Sequence, residues 1–182
     1  AEWNIAMMIN LARDVRTLIR HQDARVWERS AQFTGEIRGR TVGIWGYSGI
    51  GRETARLAKT MGMAVHALTR SGKKSRADST CIEGTGDPDG SLPDRYFTEA
   101  ERMEFLGGLD FLILALPLTK KTDGLLGEAE LRALPKGAFV LNPARGPLIQ
   151  EAALLAVLRD GHLGGAALDT HYAYPLPPAH PL

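Results

Sequence analysis

The sequence predicts a doubly wound α/β fold, a parallel sheet with helices on both faces and a helical lead-in at its N-terminus. Three observations predict it. Short apolar runs alternate with helical patterns from Thr41 to Leu168, at spacings that suit right-handed crossovers. The segment Asp110–Leu116 is apolar after its first residue, as a strand buried on both faces must be. A glycine cluster (Gly46, Gly49, Gly51) separates the first apolar run from the helix behind it.

From Ile5 to Ile19, the residues Ile5, Met8, Ile9, Ala12, Val15, Leu18 and Ile19 recur at three and four, which predicts one amphipathic helix. Two readings of its apolar stripe stand: it packs on its own domain, or it docks on a partner subunit. Asp23–Arg29 reads as a short second helix with Trp27 as its apolar anchor. Val42–Trp45 and Ala64–Leu68 are strands flanking the helix after the glycines. Thr69–Phe97 is polar and rich in turn formers, so it reads as a disordered surface stretch; a lid or insertion is the alternative. Glu99–Leu106, Gly127–Leu134 and Gln150–Arg159 read as helices. Ala138–Leu141 and Gly165–Leu168 read as strands, leading into Asn142-Pro143-Ala144-Arg145-Gly146 and Asp169.

Composition narrows the function classes. A chain of 182 residues, 44% hydrophobic and 24% charged, is that of an ordinary globular domain. A net charge of +1 makes no field to draw nucleic acid or an anionic membrane. No apolar run approaches the roughly 20 residues of a membrane span. Cys81 is the only cysteine, which excludes an intrachain disulfide and fits a cytoplasmic setting. No cysteine or histidine spacing suggests a metal. Both ends read as cut from something longer.

Strand, glycine turn, helix, strand is the unit that lays a dinucleotide pyrophosphate on a helix N-terminus. The unpaired N–H groups of a first helical turn and the helix dipole favour an anion there. The fingerprint G-x-G-x-x-G reads here Gly46-Tyr47-Ser48-Gly49-Ile50-Gly51, with Ser48 in the second glycine's place. Gly49 beside it keeps a close approach open, and the Ser48 hydroxyl is a further donor to phosphate.

With Leu116-Pro117-Leu118-Thr119-Lys120-Lys121-Thr122, Asn142-Pro143-Ala144-Arg145-Gly146 and Gly164-Gly165-Ala166-Ala167-Leu168-Asp169 added, the chain resembles the D-isomer-specific 2-hydroxyacid dehydrogenases. The resemblance covers nearly the whole chain and lies in their Rossmann-like NAD(P)-binding domain. In that family the cofactor domain is inserted into a substrate domain built from both chain termini. It therefore implies a cofactor domain over 1–182 with the substrate domain largely missing: lead-in 1–35, core 36–170, and the start of the return at 171–182.

Position by position, the resemblance places Ser48, Gly49 and Ile50, with Gly46 and Gly51, against the pyrophosphate. Pro117 and Thr122 flank the nucleotide, and Ala144, Arg145 and Asp169 lie at the nicotinamide end. Arg145 matches the arginine that holds the substrate carboxylate, a task suited to a planar guanidinium with two parallel donors. Where NAD-preferring members carry an acidic residue, this chain has Thr69-Arg70. Arg70, Lys73, Lys74 and Arg76 crowd that loop, so NADP(H) is slightly favoured over NAD; a merely solvated basic loop is the alternative. Tyr174 stands where the family places the glutamate that supports its catalytic histidine. A phenol is neutral near pH 7 and cannot stabilise an imidazolium as a carboxylate does.

The family's acid–base histidine falls beyond Leu182. Of the histidines present, His171 stands nearest a strand end, while His21, His66 and His162 read as structural or surface residues. The resemblance implies an oxidoreductase interconverting a small 2-hydroxy acid and its 2-oxo acid, of the glyoxylate or hydroxypyruvate reductase kind, with this segment alone inactive. The alternative is a dinucleotide-sensing, corepressor-like protein of weak or no catalysis. The resemblance also implies a homodimer.

Overall fold

The computed structural model describes residues 1–30, 34–70, 72 and 82–182. Two helices lead in, α1 (Glu2–Ala12) and α2 (Val15–Asp23). Then come β1 (Thr41–Trp45), α3 (Gly49–Thr60), β2 (Ala64–Leu68), β3 (Arg95–Phe97), α4 (Arg102–Gly107) and β4 (Phe111–Leu114). The chain continues through α5 (Glu128–Ala133), β5 (Phe139–Asn142), α6 (Glu151–Arg159) and β6 (Gly165–Leu168). The strands pair in parallel in the order β3-β2-β1-β4-β5-β6, with Trp45 level with Leu68 on one side and Leu114 on the other.

The pleat explains the apolar runs. Val42, Ile44, Phe111, Ile113 and Leu141 point to one face and pack with Met8 and Ala12 of α1 and Ala55 and Ala58 of α3. Trp45, Leu112, Leu114 and Val140 point to the other, against Phe105 of α4, Leu131 of α5 and Leu154 and Val157 of α6. Each fully buried Leu, Ile or Phe contributes about 1.5–3 kcal/mol, so β4, buried at every residue, anchors both layers.

Three expectations need correction. The lead-in is not one helix: the chain breaks at Asp14, which sits at φ +42 and whose carboxylate accepts the Thr17 N–H at 3.3 Å. Aspartate tolerates the left-handed region and makes a good helix cap, so the break starts a new helix without ending the apolar stripe. Replacing Asp14 with alanine removes the cap and is expected to lower stability by about 1 kcal/mol. In a thermal melt that is a fall in Tm of about 2–4 °C, and an unchanged Tm would show that the cap contributes nothing.

Asp23–Arg29 does not form a second helix. Arg25 adopts φ +56 just past the end of α2, and Trp27, 86% exposed, anchors nothing. Nor is Thr69–Phe97 structureless throughout. Its end is β3, and residues 86–92 are hydrogen-bonded to Tyr47 in the glycine turn and to Arg52 and Glu53 of α3. Ser71, Lys73, Lys74, Arg76 and Cys81 lie outside the described residues.

Candidate functional site

The strand order fixes where a ligand can sit. From β1 the chain crosses to β2 on one side, and later returns from β3 to β4 on the other. The crevice beyond the C-terminal ends of β1 and β4 is therefore the switch point where open α/β sheets bind ligands.

The glycine turn lies in that crevice. Gly46 takes φ +99, and its N–H donates to the Leu68 carbonyl at 3.0 Å, which bends the chain off β1. A Cβ there would lie 2.5 Å from the Ala115 carbonyl oxygen, the backbone just beyond β4. Gly51 has a different reason to lack a side chain: its Cβ would meet the Gly46 carbonyl oxygen at 2.5 Å, where α3 seats against the end of β1. A Cβ added at Gly49 would meet nothing within 4 Å. Two glycines thus allow tight packing and one faces open space, a turn that could hold a phosphate.

Ser48 is the N-cap of α3 in extended geometry, and its side chain makes no capping hydrogen bond. The N–H groups of Gly49, Ile50 and Gly51, in the first turn of a helix, have no partner within that helix. Three amides and a hydroxyl at this helix start are donors that could hold a diphosphate.

The neighbouring strand ends complete the edge. Beyond β4, Thr122 closes a tight loop: its hydroxyl accepts the Thr119 N–H and donates to the Pro117 carbonyl, both at 2.8 Å. That hydroxyl holds the loop's shape rather than standing free, while Pro117 is exposed at the rim. Beyond β2, the Thr69 hydroxyl donates to the Gly72 carbonyl at 2.6 Å and Arg70 is exposed.

Beyond β5, Asn142 is fully buried and organises the Arg145 turn. Its amide nitrogen donates to the Arg145 carbonyl at 2.8 Å, and its oxygen accepts the Ala144 and Arg145 N–H groups at 3.1 and 3.2 Å. Arg145 is exposed, with its guanidinium on the Ala144 carbonyl at 2.7 Å. Gly146 lets the chain after β6 pass close by, since a Cβ there would stand 2.4 Å from the His171 carbonyl oxygen. Asp169, exposed, donates its N–H to the Asn142 carbonyl at 3.1 Å. The main chain around Asp169 and His171 thereby runs beside the Arg145 turn.

Tyr174 lies in the same loop, 71% exposed, and its hydroxyl accepts the His171 N–H at 2.9 Å. Burial, with a smaller push from Glu151, raises the Tyr172 phenol to about 12, so it stays neutral. The organising role of Asn142 was not among the sequence-predicted site residues, although asparagine before proline at a strand end is a turn signal. Among the described residues there is no cluster of three metal-ligating side chains, and no helix is long and apolar enough to cross a membrane. A cavity of about 1190 Å³ lies elsewhere, between the lead-in helices, α6 and β6, and reaches this edge only at Leu168 and His171.

The chain is similar to known proteins. Residues 5–182 match the family model described as D-isomer specific 2-hydroxyacid dehydrogenase, NAD binding domain. The chain is 35% identical to D-3-phosphoglycerate dehydrogenase of Bacillus subtilis over 175 residues, 96% of this chain and 30% of that protein. It is 34% identical to a putative 2-hydroxyacid dehydrogenase of Haemophilus influenzae over 187 residues, 100% of this chain and 53% of the other. The solved NADPH-dependent glyoxylate/hydroxypyruvate reductase of Sinorhizobium meliloti, in complex with NADP and sulfate, superposes with a TM-score of 0.80 at 29% identity. That match covers 99% of this chain and 53% of the reductase chain. The chain thus spans about half or less of the length of these relatives. It belongs to the D-isomer specific 2-hydroxyacid dehydrogenase family, and what it contains is that family's NAD binding domain.

Proposed function

We propose that the protein carrying this domain is an NAD(P)-dependent oxidoreductase that interconverts a small 2-hydroxy acid and its 2-oxo acid, of the glyoxylate or hydroxypyruvate kind. One observation carries the reading: the glycine turn and Arg145 stand on the same edge of one sheet, with only β4 between their strands. Two strand spacings separate them, about 9.5 Å. An extended dinucleotide seated by its pyrophosphate at Ser48–Gly51 reaches toward both β2 and β5 from there.

In this reading Thr69 and Arg70 meet the adenosine ribose, Pro117 and Thr122 border the nucleotide, and Ala144, Arg145 and Asp169 surround the nicotinamide. When bound, the nicotinamide supplies or accepts the hydride. The chain's own residues bind and orient. Arg145 holds the substrate carboxylate through two charge-assisted bonds, which sets the keto carbon for attack. Tyr174, its phenol oxygen fixed by the His171 N–H, keeps its own proton free to donate to a neighbouring group. Proton transfer to the substrate belongs to a histidine outside residues 1–182, with the return toward the substrate domain starting at 171–182.

The test is direct. The 182-residue chain should bind NADPH or NADH, seen as enhanced nicotinamide fluorescence, and reduce no 2-oxo acid; steady turnover would refute the assignment of the proton donor. For the cofactor, Arg70 at the end of β2 and the NADPH dependence of the Sinorhizobium relative support NADP(H). A tenfold preference for NAD(H) in the ratio of Kd values would end that part of the proposal. The replacement of the family's glutamate by Tyr174 favours a second reading, a dinucleotide sensor; it predicts tight cofactor binding with no turnover even in the full-length protein.

The exposed Leu18 and Ile19 on α2 support a homodimer formed through the lead-in helices, which sedimentation would reveal. Cys81 as the only cysteine supports a cytoplasmic location.

A further inference from the structure

Tyr47 occupies the second position of the glycine turn, yet its side chain is only 7% exposed. Its hydroxyl donates to the Asp87 carboxylate at 2.6 Å. Asp87 is itself 4% exposed, and the same carboxylate accepts the Ser91 and Leu92 N–H groups at 2.9 and 3.1 Å. Arg52, 2% exposed, places its guanidinium 4.9 Å from the centre of the Tyr47 ring and donates to the Asp87 main-chain carbonyl. Glu53 accepts the Gly86 N–H at 2.6 Å, and the Tyr96 hydroxyl donates to the Gly90 carbonyl at 2.9 Å. Residues 86–92 are thus fastened both to the first turns of α3 and to the glycine turn.

A buried carboxylate persists only where hydrogen bonds and charge compensate for lost water. Burial alone would raise the Asp87 pKa. The Tyr47 hydroxyl, the two amides and Arg52 outweigh it and hold the carboxyl below its ordinary range. The Asp87 carboxylate is therefore charged and hydrogen-bonded at neutral pH, a fixed support and not a solvated loop end.

We infer that Tyr47 and Asp87 are positioning residues for dinucleotide binding. The docked 86–92 segment holds the Ser48–Gly51 amides where a diphosphate needs them, and an occupied cradle tightens that docking in return. This rests on the reading that the glycine turn seats a dinucleotide. Tyr47 directly precedes Ser48, so releasing its side chain frees the start of the amide row. Donors ordered before binding need no ordering during it. Linkage then makes the effect reciprocal, so the cradle and the 86–92 segment report on each other.

The experiment uses Tyr47→Phe, which removes one hydroxyl and keeps the ring, and Asp87→Asn, with Kd values for NADPH and NADH measured by nicotinamide fluorescence. Both variants should weaken both cofactors by the same factor, about tenfold, because the diphosphate is common to the two. In the unaltered protein, the amides of Gly86, Ser91 and Leu92 should exchange with deuterium more slowly once NADPH is bound. In Tyr47→Phe that added protection should shrink. A purely structural role lowers Tm while leaving the Kd values and the NADPH-induced protection as they were, and that result overturns the inference. So does an exchange rate in the unaltered protein that NADPH does not change, a measurement that needs no variant to fold. If the unaltered protein binds neither cofactor, the dinucleotide reading itself fails, a distinct outcome.

Discussion

Replacing Gly46 with alanine is expected to weaken dinucleotide binding about a hundredfold and to destabilise the domain. At φ +99, the backbone there lies outside the regions an L-residue adopts, and such strain is of order 1–3 kcal/mol. The added Cβ would also lie 2.5 Å from the Ala115 carbonyl oxygen. That atom is backbone, adjoining a strand buried at every residue, and cannot swing aside as a side chain would. The turn must instead lift away from β4 and carry the α3 N-terminus with it. Tm should fall by several degrees, at about 2–4 °C per kcal/mol for a domain of this size, and affinity for NADPH by roughly two orders of magnitude. A variant with unaltered Kd would show that the cradle is not where the cofactor sits.

The second large effect is expected at Arg145, in the full-length protein. Two charge-assisted hydrogen bonds, each about 1.5–3 kcal/mol, correspond to a loss of about 10² to 10⁴ in kcat/KM for Arg145→Ala. Arg145→Lys keeps the charge but loses the planar pair of donors, so it should recover only part of that loss. Affinity for NADPH should stay within about threefold in both, because the diphosphate contacts are untouched. A variant that loses cofactor and substrate binding alike would show that Arg145 serves mainly the nicotinamide and not the substrate carboxylate.

Which parts of this were legible beforehand follows from how local each signal is. The glycine turn is a local device: strand, bend and helix start are all written within eleven residues, and the structure builds them there. β4 and β5 were visible because strands covered on both faces must be apolar throughout. β3 was not. Three residues, Arg95, Tyr96 and Phe97, make no periodic pattern, and only pairing with β2 gives them extended form. The break at Asp14 hid because the apolar stripe runs on across it. Trp27 was misread because an isolated aromatic says nothing about what covers it; here little does, at 86% exposure.

The Tyr47–Asp87 contact spans forty residues of chain, and nothing in a one-dimensional pattern couples the two ends. Arg52 was invisible for a related reason. A charged residue on a helix reads as solvent-facing, whereas its partners, a tyrosine ring and a main-chain carbonyl, come from elsewhere in the fold.

Asn142 has a consequence for how this edge tolerates sequence change. Because a single amide ties down the Ala144 and Arg145 N–H groups and the Arg145 carbonyl, the root of the guanidinium carries its own fastening. Drift in the outer helices can proceed without shifting it. Exchange of that one asparagine for aspartate, which removes the donor and keeps the acceptor, would free the Arg145 carbonyl while leaving the two N–H bonds and the strand below intact.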